Sequence, residues 1–145
     1  MRGAGDLRIG AERLARASRV RRQIEGELEA LEACARALLR AEPMLRGSVY
    51  ETRGKCGKRA CRCRTGEGHP MTYVTWRTAS GRKTRSVTPE THAAFAKPAE
   101  AYRRFREGRT EWTRRSKAVA SLLGGLEDAL ALEVAPDRVE GNGRR

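Results

Sequence analysis

Residues 53–69 read RGKCGKRACRCRTGEGH, with Cys56, Cys61 and Cys63 inside eight positions and His69 six residues further on. The spacing Cys-x4-Cys-x-Cys-x5-His offers three thiolates and one imidazole, a donor set that suits tetrahedral Zn²⁺. Ligands this close let a single loop wrap an ion, and Gly57, Gly66 and Gly68 ease the backbone around it. Water, His92 or Cys34 are the alternatives to His69 as fourth ligand. Cys34 itself reads as a small buried hydrophobe in the middle of a helix. The competing chemistry is redox: reduced thiols in an electropositive setting favour the thiolate that oxidants attack.

The same stretch is crowded with cations. Lys55, Lys58, Arg59, Arg62 and Arg64 would lower the thiol pKa values and offset the negative charge of a Cys3His zinc centre. They belong to a wider excess in a chain of 145 residues and net charge +13. Residues 1–44 carry nine Lys/Arg and seven Asp/Glu, residues 45–115 eighteen and six, and residues 116–145 four and five. An arginine-rich composition alone would not leave both ends almost neutral. A basic excess focused on one region is the electrostatic footprint of a nucleic-acid binder, with DNA the expected partner. The expected phosphate contacts are Arg53, Lys55, Lys58, Arg59, Arg62, Arg64, Arg82, Lys83 and Arg85. Tyr73 and Trp76 sit among basic side chains and have two readings. They could stack on exposed bases, or pack in the core, which is the stronger reading for Trp76. An anionic membrane surface fits less well, because the basic region lacks an amphipathic helix with a bulky apolar face.

Other classes fall away. The two histidines are not in His-Glu-x-x-His spacing, and there is neither a Gly-rich phosphate loop nor a nucleophile elbow. Glu51 and Glu67 stand alone in the region between the helices, too few for a two-metal nuclease. No enzyme is expected. No run approaches the length of apolar sequence that spans a membrane. The opening MRGAGDLRIG lacks the apolar centre of a signal peptide, so a cytoplasmic protein is expected. In that compartment clustered cysteines are ligands or redox thiols rather than disulfides.

These residues need elements to position them, and the chain divides into four parts. Residues 1–44 contain a helix, roughly 7–41, in which Leu14, Ala17, Ile24, Leu28, Leu31, Ala35 and Leu38 recur by threes and fours, with Arg21 filling one gap. Arginines precede glutamates along it, which opposes the helix dipole and calls for a packing partner. Residues 45–88 read as three strands, GSVYETR, MTYVTWRT and RKTRSVT, the last two a hairpin around Ala79, Ser80 and Gly81. Met71, Tyr73 and Thr75 share one face of the middle strand, and Val74 and Trp76 the other. Residues 89–133 are helical again, with Thr88 as N-cap and Pro89 at the first position. Pro98 is expected to kink or interrupt that helix, and Gly124 and Gly125 to bend it. Phe105, Trp112, Val119, Leu123, Leu126 and Leu130 form its expected apolar stripe. Residues 134–145 read as a disordered tail. The fold class is therefore α+β, two long amphipathic, coiled-coil-like helices flanking a small three-stranded antiparallel sheet with a Cys-rich loop. The helix seam could form within one chain or between two, as a homodimer.

The motifs Arg46-Gly47-Ser48-Val49, Cys56-Gly57-Lys58, Cys61, Cys63, His69-Pro70, Gly81-Arg82 and Tyr102-Arg103-Arg104 carry a resemblance. Over about residues 45–130 the chain resembles a prokaryotic and phage domain of unknown function. Its members read Arg-Gly-Ser-Leu/Val, then Cys-Gly-Lys-x-x-Cys-x-Cys, His-Gly-Pro-Tyr, Gly-Lys/Arg and a long helix with Tyr-Arg-Arg. Here Pro70 follows His69 directly, and Met71-Thr72 separate it from Tyr73. The resemblance implies an association with mobile elements and their transposases or recombinases. The expected function is a small, basic, zinc-binding DNA-binding accessory protein. Its rivals are a helical adaptor docking on a recombinase, transposase or other acidic partner, and a thiol redox sensor.

Overall fold

The structure, a computed structural model, describes residues 7–134. Its elements run β1 (Leu7–Arg8), α1 (Ala11–Leu39), β2 (Gly47–Gly54), β3 (His69–Thr78), β4 (Gly81–Val87), α2 (Pro89–Leu130) and β5 (Glu133–Val134), with one 3-10 turn at Arg62–Arg64. The class is α+β, two long helices and a three-stranded antiparallel sheet in the order β2-β3-β4. A short β1–β5 pairing, which periodicity had not indicated, joins Leu7 to Val134. The rest of the tail expected over 134–145 lies outside the described residues.

The chain divides into two compact units, residues 1–33 with 112–145, and residues 34–111. This division differs from the linear segments read from the sequence, because α1 and α2 each contribute to both units. The second unit holds the sheet. β2 and β3 pair over eight residues, from Gly47 opposite Trp76 to Gly54 opposite His69. β3 and β4 pair from Thr72 opposite Val87 to Thr78 opposite Gly81, leaving Ala79-Ser80 as the turn. Directly opposed residues share a face. Val49, Val74, Trp76, Lys83, Arg85 and Val87 therefore lie on one face, and Ser48, Tyr50, Tyr73, Thr75, Arg77, Arg82 and Thr84 on the other. The first face holds the core, with Val74 fully buried, Val87 nearly so and Trp76 half-buried.

Thr88 and Thr91 start α2 reciprocally. The Thr88 amide donates to Thr91 Oγ1 at 3.2 Å, and the Thr91 amide donates to the Thr88 carbonyl at 3.1 Å. This is the returning half of a capping box, with threonine in the position usually held by Glu or Gln, and the Thr88 hydroxyl bonds Thr91 Oγ1 at 3.1 Å. Pro98 does not interrupt α2, which runs unbroken for 42 residues. Proline removes the donor that would meet the Ala94 carbonyl, and the helix carries that loss without breaking. The Leu45 amide donates to the Pro98 carbonyl at 3.0 Å. Gly124 and Gly125 likewise lie inside the continuous helix.

The apolar stripes of both helices differ from expectation in the same way. In α1, Ala17, Ile24 and Leu31 are buried, but the second row is Val20, Glu27 and Cys34 instead of Arg21, Leu28 and Ala35 alone. Leu14 and Leu28 are about half exposed, as are Trp112 and Leu123 in α2. The physical reason is that small and ion-paired residues occupy the seam. In the first unit, Arg115 donates to Glu27 at 2.9 Å, with both side chains about three-quarters buried. In the second, the Cys34 thiol donates to the Gly108 carbonyl at 3.2 Å. A search for large apolar residues passes over Cys, Gly and paired charges.

Candidate metal centre

The loop between β2 and β3 gathers the four expected ligands. The Sγ atoms of Cys56, Cys61 and Cys63 and one ring nitrogen of His69 lie within 4.8 Å of one another. Cys56 Sγ and Cys63 Sγ are 3.6 Å apart, and Cys61 Sγ is 2.9 Å from His69 Nε2. A tetrahedral ion with metal–sulfur bonds of about 2.3 Å spaces its sulfurs by about 3.8 Å, so the cysteine pair already stands at coordinating distance. All four cysteines are reduced.

The local backbone explains the gathering. His69 opens β3 directly opposite Gly54, the last residue of β2, so the ladder clamps both ends of the loop. Gly57 turns the chain at φ +77°, a conformation that glycine adopts without a steric cost. Gly68 is confined by a close approach, because a Cβ there would fall 2.6 Å from backbone atoms of Gly54. The 3-10 turn then points Cys63 inward, 2% exposed, while Arg62 and Arg64 point to solvent. The Cys61 amide donates to the Lys58 carbonyl, and the Cys56 amide donates to Cys63 Sγ at 3.4 Å.

Electrostatics divide the thiols. The Lys58 amide, then the thiols of Cys63 and Cys61, pull the Cys56 pKa down to about 6 against the effect of burial. The Cys63 amide pulls Cys61 down as well, but the neighbouring thiols of Cys63 and Cys56 outweigh it and raise Cys61 above its usual value. Hydrogen bonds within the loop lower Cys56, where the sequence had pointed to the flanking lysine and arginine side chains.

The nine expected phosphate contacts are all exposed, but they do different work. Lys55 donates to the Arg64 carbonyl at 2.9 Å, and Arg64 donates to the Arg59 carbonyl at 3.0 Å, so both brace the loop. Arg53 pairs with Glu67 at 3.0 Å. Lys58, Arg59 and Arg62 stand on the loop exterior. Lys83 and Arg85 project from the face of β4 opposite to Arg82, so the nine do not form one patch. Cys34 is committed to Gly108, and neither it nor His92 joins the cluster.

Sequence reasoning passed over Tyr50. It lies opposite Tyr73, and the two rings stack with centroids 5.8 Å apart at 24°. Only the strand register, set by the length of the Cys loop, brings them together. It also passed over a groove of 730 Å³ beside β2 and α2. Gly47, Ser48 and Val49 line one side and Tyr102 and Arg103 the other, so two motifs distant in sequence meet there. Arg103 is held in it by Glu100 and Glu107.

The family model of a domain of unknown function, DUF6788, matches residues 14–97, from within α1 into the first turns of α2. No curated protein and no solved structure matches the chain. No helix among the described residues is long and apolar enough to cross a membrane.

Proposed function

The chain belongs to the DUF6788 family, and we propose that it is a non-catalytic, zinc-stapled DNA-binding accessory protein. The observation that carries this reading is the convergence of three sulfurs and an imidazole nitrogen inside the most basic loop of the chain. Three thiolates, an imidazole and no carboxylate form a soft donor set that favours Zn²⁺ over Mg²⁺ or Ca²⁺. Bound zinc would fix the loop, which has almost no apolar core of its own. Lys58, Arg59 and Arg62 would then be presented outward to phosphates at fixed positions. Phosphate contacts make affinity fall steeply with salt. Association with a mobile element rests on the motif resemblance alone.

Elemental analysis of freshly purified protein, combined with fluorescence anisotropy of a labelled DNA duplex across a salt series, tests this. One zinc per chain is expected, together with a logarithmic salt slope of about −3 to −6 for several neutralised phosphates. Protein free of metal, or binding unaffected by salt, would sink the proposal.

The adaptor reading keeps one observation in its favour. Leu14, Leu28, Trp112 and Leu123, all in the first unit, expose apolar surface on the helices. A second copy or another helical protein could cover them. Sedimentation velocity separates a homodimer from a monomer that awaits a different partner.

A further inference from the structure

We infer that the sheet face bearing Tyr50 and Tyr73 is a stacking platform for unpaired DNA, an inference that rests on the DNA-binding reading and specifies its substrate. The two faces of the sheet differ in chemistry. One carries Val49, Val74 and Val87 and is buried at its centre. The other carries two tyrosines, hydroxyl residues and arginines; its outer strands and Arg77 are exposed, Tyr73 is half-buried and Thr75 between them is buried.

Tyr50 is 41% exposed although it stacks on Tyr73. Each ring braces the other, leaving an outer aromatic surface open to a planar ligand. Ser48 and Thr84 flank the central strand with hydroxyls, and Thr75 Oγ1 bonds Thr84 Oγ1 at 3.1 Å.

Charge brackets the aromatic pair along the strand direction. Arg77 and Arg82 lie directly opposite each other on this face, near the β3–β4 turn. At about 3.3 Å per residue they stand some 13 Å from Tyr73. Beyond the other end of β3 is the metal loop with Lys58, Arg59 and Arg62. Cations at both ends with stacked rings between them match a strand whose phosphates run past while its bases turn inward. A duplex hides its base faces in its own stack, so aromatic rings on a sheet surface reach them only in unpaired strands.

Fluorescence anisotropy on the full chain, with three labelled probes of equal length, tests the inference: a DNA single strand, an abasic single strand and a duplex. The single strand is expected to bind about tenfold more tightly than the abasic strand, the gain from stacking. Tyr50→Ala is expected to remove that difference and leave duplex binding unchanged. Tyr50→Phe, which keeps the ring, is expected to preserve it. Thermal unfolding of both variants checks that the fold persists. Should Tyr50→Ala fail to fold, equal binding of the abasic and intact strands by the native chain would still overturn the platform. Loss of binding alike in Tyr50→Ala and Tyr50→Phe would also overturn it, as would a preference for duplex with salt dependence retained. Absence of binding to all three probes would instead overturn the DNA-binding reading itself.

Discussion

At the scale of single residues, the centre depends on groups that cannot be exchanged. Cys63 is the buried member of the Cys3His cluster, and its sulfur lies near both the Cys56 amide and thiol. Cys63→Ser keeps the size but loses the soft thiolate, and is expected to reduce bound zinc from one per chain to near zero by elemental analysis. Gly68 is constrained by space alone. A methyl group there would collide with the Gly54 backbone, which the β2–β3 ladder holds in place. Gly68→Ala is expected to destabilise the protein by about 2 kcal/mol in urea unfolding, and to weaken zinc retention in a chelator competition. The clustering of the thiols was legible in the sequence because their spacing survives any fold compatible with a short loop. The role of Gly68 was not, because it depends on which strand lies across from it.

At the scale of elements, the start of α2 and its charged surface make separate predictions. Thr91→Ala removes the hydroxyl that accepts from the Thr88 amide and is expected to cost about 1 kcal/mol, measured by thermal unfolding. Glu100 is held below its usual carboxyl range by hydrogen bonds from the Arg103 guanidinium, helped by the charges of Arg103 and Arg104. Because its folded pKa lies below the unfolded value, the contribution is complete above the ordinary 4.5 and fades as pH falls through the folded value. Glu100→Gln is expected to lower Tm slightly at neutral pH, where the ion pair is fully formed, and to leave Tm nearly unchanged below the folded pKa, so that the acid side of a Tm-against-pH curve flattens. Element types and the Thr88–Pro89 boundary could be read from local signals. The continuity of α2 through Pro98 could not, since a proline inside a helical pattern reads locally as a break. The seam was placed half correctly: Ala17, Ile24 and Leu31 follow apolar periodicity, whereas Cys34, Gly108 and the Glu27–Arg115 pair do not.

At the scale of the whole molecule, the Cys3His cluster and the outer parts of the two helices belong to different units. The four clustered residues all fall within residues 34–111. Chelation is therefore expected to raise amide hydrogen exchange in β2, β3 and their loop, while α1 from Ala17 to Leu31 and α2 beyond Trp112 keep their protection. Uniform loss of protection would show that the two units unfold together. Composition by itself determined that this chain carries a focused positive charge and little apolar material, since these are sums over residues and no folding alters them. Spacing also kept the three thiols together, because a loop this short cannot hold them apart, whereas the choice of His69 over His92 or Cys34 as their neighbour came from the β2–β3 ladder. The pairing of Tyr50 with Tyr73, the separation of Lys83 and Arg85 from Arg82, and the entry of Cys34, Gly108 and the Glu27–Arg115 pair into the helix seam were decided only in three dimensions. Each depends on strand register or on which small residue lets two backbones approach, and those relations join positions far apart in the chain.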